Sequence, residues 1–242
     1  MAATDMPYEH LLRPLETVPP LPHDLAQALG DGAVRPQGQE GMKWNRERWA
    51  SRLRGVPDVG PFLDQVPSTV DRAATNRLVL DTYDDGRDDL AFVAAMIWGY
   101  GPSGYGPYRT SRVLSGDGQA APDPEVRGKL RDGAAAARRD GALAGFYALN
   151  NRPGRIRFLG PAFFTKWLYF TTATGGPDDR DAAPILDLRV QRWIARQTGL
   201  SLRLDRTRDY ARYLELLDAW GRLPGGTLSR ATVERSIFSL TR

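Results

Sequence analysis

The chain has 242 residues, of which 41% are hydrophobic and 26% charged, and its formal net charge is +4. These values are typical of a globular protein with one or two domains, and no apolar run reaches the 18 residues that a transmembrane helix needs. Cysteine does not occur, which excludes disulfides, thiol nucleophiles and Cys-ligated metal centres.

The sequence predicts a mainly α-helical protein. Residues 1–40 are rich in proline and glycine and predict an irregular N-terminal arm with one short helix near 24–29; residues 41–242 form the helical domain. Residues 54–69 predict another irregular connection, and 76–83 fit either a strand or a helix. Helical spacing of apolar residues predicts the remaining elements, which are 44–53, 88–100, two helices within 125–150, 163–172, 186–198, 208–220 and 227–240.

Few side chains are available for catalysis. The only histidines are His10 and His23, both in the proline-rich arm, so neither a Ser-His-Asp triad nor a His-metal site is expected. Only three of the 33 basic residues are lysine: Lys43, Lys129 and Lys166. Lysine can lose its proton and attack an electrophile, whereas arginine cannot, so a lysine inside an apolar run is the first candidate nucleophile.

The glycine-rich segment GYGPSGYG at 99–106 follows a predicted helix, so it does not fit a dinucleotide-binding loop, which follows a strand. Tyr105, Arg109 and Arg112 combine aromatic rings with guanidinium groups. That combination suits a nucleic-acid surface. A solvated turn with core tyrosines is the alternative.

Residues 127–157 contain eight basic and two acidic residues, a net charge of +6. Such a run is often only a solvated face. Here Asn150, Asn151 and Arg155 lie in a Gly-containing turn before the next helix, where backbone N–H groups can bind a phosphate.

Segment 155–170, RIRFLGPAFFTKWLYF, places Lys166 among aromatic and aliphatic residues. Burial there would lower the pKa of its amine, although the side chain could instead reach water with only its stem buried. Asp187 follows 21 residues later in the apolar frame of 183–190. It is either a plain helix N-cap or the carboxylate partner of the lysine.

This order of a glycine-containing loop, a lysine-bearing helix and a Pro-x-x-Asp-x-Arg-Val segment resembles the helix–hairpin–helix DNA glycosylases of the 8-oxoguanine type, including their archaeal branch. The resemblance covers 155–195 and puts Lys166 at the nucleophile position and Asp187 at the aspartate position. Segment 158–162 would be the hairpin, with Gly160 as its glycine and Ala162 in place of the second one.

The resemblance implies a two-lobed helical fold with a cleft between the lobes. It also implies a cofactor-free monomer that binds double-stranded DNA and flips a damaged or modified base into the cleft. The base would be an 8-oxoguanine-type lesion or a hypermodified phage base removed in antiviral defence. Excision would occur with or without strand cleavage through a lysine Schiff base. With no secretory signal in the first residues, we expect a cytoplasmic, nucleoid-associated enzyme.

On this basis Lys166 and Asp187 are the predicted catalytic residues. The predicted DNA contacts are Tyr105, Arg109, Arg112, Asn150, Asn151, Arg155, Gly160 and Arg189. The predicted base pocket consists of Trp98, Tyr100, Phe163 and Phe238. Two rival hypotheses are a non-catalytic DNA-binding protein that uses 127–157 and a recognition helix at 227–240, and a small-molecule lyase that forms a Schiff base through Lys166.

Overall fold

Helices make up nearly all the regular structure in the computed structural model, which describes residues 7–32, 41–116 and 120–241. The predicted mainly α class is confirmed. The helices are α1 (His23–Gly32), α2 (Arg46–Arg52), α3 (Val59–Gln65), α4 (Arg72–Asp84), α5 (Asp88–Tyr100), α6 (Gly106–Ser115), α7 (Pro124–Asp140), α8 (Ala142–Asn150), α9 (Pro161–Thr172), α10 (Leu188–Thr198), α11 (Thr207–Trp220) and α12 (Arg230–Ser239).

Four two-residue strands form two small antiparallel ladders. Strand β1 (Met42–Lys43) pairs with β2 (Thr69–Val70), and β3 (Arg222–Leu223) pairs with β4 (Gly226–Thr227). The second strand of each ladder directly precedes a helix: β2 precedes α4, and β4 precedes α12.

The connection predicted at 54–69 was wrong in part, because it contains α3. Val59, Phe62 and Leu63 are buried on one face of that helix. Their spacing of three and four residues is the helical signal that the surrounding prolines obscured. Pro61 is tolerated because it lies in the first turn, where its missing N–H leaves no hydrogen bond unmade.

The open choice at 76–83 resolves to a helix, α4. Asp71 caps it, since its side chain accepts a hydrogen bond of 2.7 Å from the backbone N–H of Ala74. The cap places Arg72 in the first turn, buried and close to α12.

Helix α9 lies at the centre of the core and packs against α4, α5, α7 and α8. Trp167, Tyr169 and Phe170 are fully buried on it. The surrounding helices therefore fix α9 on several sides, and the side chains that it carries have little freedom to move.

The described part of the N-terminal arm packs on the last helices. Leu25 and Leu29 of α1 are buried, and the indole N–H of Trp220 donates to the Pro19 carbonyl at 3.0 Å. The division of the chain into arm and domain, and of the domain into two lobes, stays a prediction. In the described ranges, every helix is too short or too polar to cross a lipid bilayer.

Candidate active site

Lys166 lies on the buried face of α9, and its side chain is 9% exposed. Its Nζ donates to the Ala162 carbonyl at 2.8 Å and lies 5.2 Å from the centre of the Phe163 ring. Burial lowers the pKa of Lys166, and the neighbouring Asp187 carboxylate opposes that shift without cancelling it. Of the two sequence interpretations, the structure therefore supports the desolvated amine over the lysine that reaches water.

A glycine near the C-terminal end of α5 leaves space for the side chain of Lys166. A Cβ atom on residue 99 would lie only 3.0 Å from Cδ of Lys166 and 3.7 Å from a ring carbon of Phe163. Gly99 thus lets the lysine stem pass close to the α5 backbone.

Residues 183–187, which precede α10, are hydrogen-bonded to α9 and α11 through side-chain hydroxyl groups. Thr165 and Thr172 of α9 accept hydrogen bonds from the backbone N–H groups of Leu186 and Ala183. From α11, the Tyr213 hydroxyl donates to the Ile185 carbonyl at 2.9 Å. Burial raises the pKa of Tyr213 well above its ordinary value, so it stays a neutral donor.

Asp187, at the end of this segment, has two functions. Its Oδ1 accepts from the backbone N–H groups of Arg189 and Val190, which caps α10. Its Oδ2 lies 3.5 Å from Nζ of Lys166. One carboxylate thus caps the helix with one oxygen and lies beside the lysine amine with the other, and its part in catalysis stays a prediction.

The Lys166–Asp187 pair lies in the wall of a cavity of about 480 Å³, a volume in the range of small-molecule sites. Three of the four predicted base-pocket residues line this cavity: Trp98, Tyr100 and Phe238. Phe163 lies behind the wall and stacks on Tyr100, with 4.1 Å between ring centres. Arg189, predicted as a DNA contact, also lines the cavity; its guanidinium lies 4.8 Å from the Phe238 ring.

Two charged cavity residues were missed by the sequence analysis, Arg72 and Glu234. Nη1 of Arg72 donates to Oε2 of Glu234 at 3.0 Å, and their side chains are 6% and 1% exposed. The Arg72 guanidinium also lies 5.1 Å from the Trp98 ring and 4.7 Å from the Tyr169 ring. Burial raises the pKa of Glu234, an effect that Arg72 opposes. The only sequence signal was a charged residue at a core-facing position of α12, between Val233 and Ile237.

Breaking this buried ion pair is expected to destabilise the fold strongly. Arg72→Met or Glu234→Leu alone should lower the free energy of unfolding by about 3–5 kcal/mol, because each leaves one charge buried without its partner. The double variant should recover most of that loss. Urea denaturation measures the effect, with Arg46→Met as the control, since the Arg46–Asp64 pair is exposed and should contribute at most about 1 kcal/mol. Two single variants as stable as the native chain would contradict the prediction.

A second cavity, of about 680 Å³, lies in front of α9, between α8 and the α9 N-terminus. Three predicted DNA contacts line it: Arg155, Gly160 and, from α6, Arg109. Its other basic lining residues are Lys129, Arg152 and Arg157, and no acidic residue of the described chain lines it. The α9 helix begins at Pro161, two residues earlier than predicted, so Gly160 is its N-cap.

Phe158 organises the arginines beside this second cavity. Its ring lies 4.4 Å from the guanidinium of Arg112, 4.6 Å from that of Arg157 and 5.9 Å from that of Arg109. Its backbone φ of 67° is a strained conformation for a non-glycine residue, and its carbonyl accepts from Arg109 at 3.0 Å. The cluster concentrates positive charge on one face of the loop.

The other predicted DNA contacts differ in their freedom to bind. Tyr105 is 54% exposed and lies 5.8 Å from the Arg109 guanidinium. The Asn150 amide already donates to the Asp205 carbonyl, and the Asn151 amide donates to the Tyr147 carbonyl and to the hydroxyl of Thr207. These two amides join α8 to the start of α11, and their contact with DNA stays a prediction.

Helix α12 packs into the core with Val233 and Ile237 fully buried, and Ser229 caps it. A helix inserted in this way is not free to enter a DNA groove as a recognition helix. Within the described ranges, no group of three or more His, Asp or Glu side chains is placed to bind a metal ion.

The model of one protein family, described as "Putative 8-oxoguanine DNA glycosylase OGG-like protein", matches residues 35–238. Neither a search of curated proteins nor a search of solved structures gives a match to the chain.

Proposed function

We propose that this chain, which belongs to the family of 8-oxoguanine DNA glycosylase OGG-like proteins, excises a damaged or modified base from double-stranded DNA with Lys166 as its nucleophile. Family membership gives the reaction class, removal of a base from DNA. The observation that carries the rest is the placement of the Lys166 amine 3.5 Å from the Asp187 carboxylate, in the wall of a cavity of about 480 Å³.

The proposed reaction begins with the neutral form of Lys166, which burial favours. Nζ attacks C1′ of the flipped nucleotide, the C1′–N bond breaks, and the base leaves with the bonding electron pair and then takes up a proton. The C1′–O4′ bond then breaks, the proton that remains on the amine passes to O4′, and the open sugar is left as a Schiff base. Removal of a C2′ proton then expels the 3′ phosphate and cleaves the strand.

Asp187 is proposed to stabilise the positive charge that develops on the sugar and to accept the proton that the amine loses on attack. Its N-cap hydrogen bonds hold the carboxylate in one orientation, with Oδ2 toward the amine. If Lys166 instead stayed protonated, Asp187 would orient a water molecule, and the enzyme would remove the base without cleaving the strand.

The DNA backbone is proposed to lie over the second, basic cavity. Gly160 at that cavity and Lys166 are six residues apart on one helix, so they are separated by about 9 Å along its axis. The Lys166 side chain covers part of that separation, because its Nζ reaches back to the Ala162 carbonyl, so the amine lies toward the end of α9 where Arg152, Arg155 and Arg157 would bind phosphates. The proposed base is an 8-oxoguanine-type lesion, with a modified phage base as the second candidate.

The direct test is abasic-site formation on a panel of duplexes. The panel contains 8-oxoguanine, uracil, an alkylated purine and hydroxymethylated or glucosylated cytosine, each opposite every normal base. We expect abasic sites on one class of base, and a covalent enzyme–DNA adduct when borohydride is present. Tight DNA binding without an abasic site on any duplex would instead favour a non-catalytic DNA-binding protein.

Replacing Arg155 with glutamine is expected to weaken binding to every duplex alike and to make it less dependent on salt. One lost phosphate contact should reduce the slope of log affinity against log salt by about 0.9. Fluorescence anisotropy at several salt concentrations measures this slope. Arg196→Gln, at the exposed C-terminal turn of α10, removes the same charge from a residue that does not line the basic cavity and serves as the control. An equal change in both variants would contradict the proposed placement of DNA.

A further inference from the structure

A third cavity, of about 530 Å³, borders the basic cavity, and the reaction proposed above uses none of its side chains. It is formed by the N-terminal arm, the C-terminal end of α8 and residues 203–208, where α11 begins. Its charged lining residues are four arginines and one aspartate: Arg13, Arg203, Arg206, Arg208 and Asp205. With His10 neutral, four positive charges and one negative charge leave a local charge of +3, which favours an anionic ligand.

The arginines of this cavity differ in how far the protein already neutralises them. Arg203 and Arg208 each lie beside an aspartate, at 3.3 Å and 3.5 Å. Arg13 donates to two backbone carbonyls of the arm. Arg206 is exposed, and within the described ranges its side chain makes neither an ion pair nor a hydrogen bond. The Arg206 guanidinium is therefore the group most available to a ligand.

Hydrogen bonds join the three elements that form the third cavity. The Asn151 amide, at the end of α8, donates to the Thr207 hydroxyl of α11 at 3.1 Å. Nε of Arg212, also on α11, donates to the Arg13 carbonyl at 2.9 Å and so fixes the arm. Because these elements already hold one another, little ordering is needed when a ligand binds.

The third cavity and the basic cavity share a wall, residues 150–155. Asn150 and Asn151 line the third cavity, and Arg152 and Arg155 line the basic cavity. The backbone N–H of Arg155 donates to the Asn151 carbonyl at 2.9 Å, so one tight turn separates the two. Cavities of these volumes are about 10 Å across, which puts their centres about 10 Å apart, or about three base-pair steps along DNA.

We propose that the third cavity binds backbone phosphates of the same DNA duplex, about three base pairs beyond those at the basic cavity; the inference rests on the proposed function. The DNA backbone carries negative charges at regular intervals, so it can occupy two adjacent positive cavities at once, whereas a compact anion would fill only one. Phosphate contacts carry no sequence information. The third cavity should therefore raise the affinity for every duplex that is long enough to reach it, whichever base is excised.

The test compares Arg206→Gln with Arg155→Gln on duplexes of different reach. Each duplex carries a stable abasic-site analogue, so that binding is measured without a chemical step. One duplex has about ten base pairs on both sides of the analogue, and two others are trimmed to about three on one side or the other, which retains the phosphates nearest the analogue. Fluorescence anisotropy gives the affinity for each duplex at several salt concentrations.

We expect the native chain to bind one of the trimmed duplexes about 5–10-fold more weakly than the full duplex at about 0.1 M salt, because a phosphate contact is lost. Arg206→Gln should weaken binding to the full duplex by a similar factor, reduce its salt slope by about 0.9, and match the native chain on that trimmed duplex. Arg155→Gln should weaken binding to all three duplexes. Arg196→Gln lies outside both cavities and should match the native chain throughout.

An Arg206→Gln variant that binds the full duplex as tightly as the native chain would overturn the inference. A loss of the same size on all three duplexes would also overturn it, because the arginine would then act independently of the flanking DNA. In both cases, weaker binding by Arg155→Gln would still support the proposed placement of DNA over the basic cavity. A native chain that binds none of the duplexes would instead refute the proposed function, and this inference with it.

Discussion

Lys166→Gln is expected to abolish the borohydride-trapped adduct and to reduce base excision by about 10⁴-fold or more, because it removes the only group proposed to attack C1′. Glutamine fills most of the space of the lysine stem and carries no charge, so the burial that disfavours the ammonium does not disfavour the amide. The variant should therefore fold and bind DNA. Rapid-quench measurement of abasic-site formation, with trapping in parallel, gives both quantities.

Lys43→Gln is the matched control for this experiment. Lys43 lies in β1 with its side chain exposed, so the same substitution removes the same charge without touching the cavity. It should leave excision and trapping at the native level. A Lys166→Gln preparation that retains full excision would contradict the lysine-nucleophile mechanism. It would favour attack by a water molecule that Asp187 orients.

Asp187→Asn is expected to lower the rate of excision by about 10²–10³-fold while leaving the fold intact. Asparagine caps helices as well as aspartate does, so the hydrogen bonds to the first turn of α10 are retained. What is lost is the negative charge 3.5 Å from the Lys166 amine. Thermal unfolding and single-turnover excision, measured on the same preparation, separate the two effects.

The pH profile of this variant tests the pairing directly. Only neutral Lys166 attacks, so the native rate should rise with pH through the pKa of this lysine. Asp187 raises that pKa, and removing its charge should therefore move the rising limb to lower pH while the plateau falls. Asp123→Asn, at the N-cap of α7, provides the control, because its side chain also caps a helix but lies outside the cavity. If the rate of Asp187→Asn rises over the same pH range as the native rate, Asp187 only caps α10.

The Asp187 carboxylate combines a structural function, the cap of α10, with the chemical function that we propose for it. The first turn of α10 binds one oxygen, and this leaves the other with a fixed direction toward Lys166. A carboxylate with this support loses little rotational freedom when charge develops beside it. Capping is thus part of the proposed mechanism, because it orients the charge in advance.

Local sequence patterns were sufficient for most of the helices. Helix α5 was predicted at 88–100 and occupies those residues, because its apolar residues extend around the whole helix and two aspartates lie in its first turn. Helix α3 was missed, because three prolines in 57–67 have a stronger local effect than three apolar residues at helical spacing. The helical pattern was not recognised in this segment because nearby prolines argue against a helix, whereas burial in the tertiary structure stabilises one.

The two charged pairs of the candidate site, Lys166–Asp187 and Arg72–Glu234, also differ in how far the sequence predicted them. The apolar neighbours of Lys166 in the chain predicted a desolvated amine, although the burial of its side chain also depends on the helices packed around α9. The sequence by itself determined the cap at Asp187, because capping is decided within one helical turn. Only the tertiary structure decided that Arg72 and Glu234, which are 162 residues apart, form one ion pair in the same cavity. An apolar segment and a helix cap follow from nearby residues, whereas a contact between distant charges depends on how the helices pack, which no local pattern records.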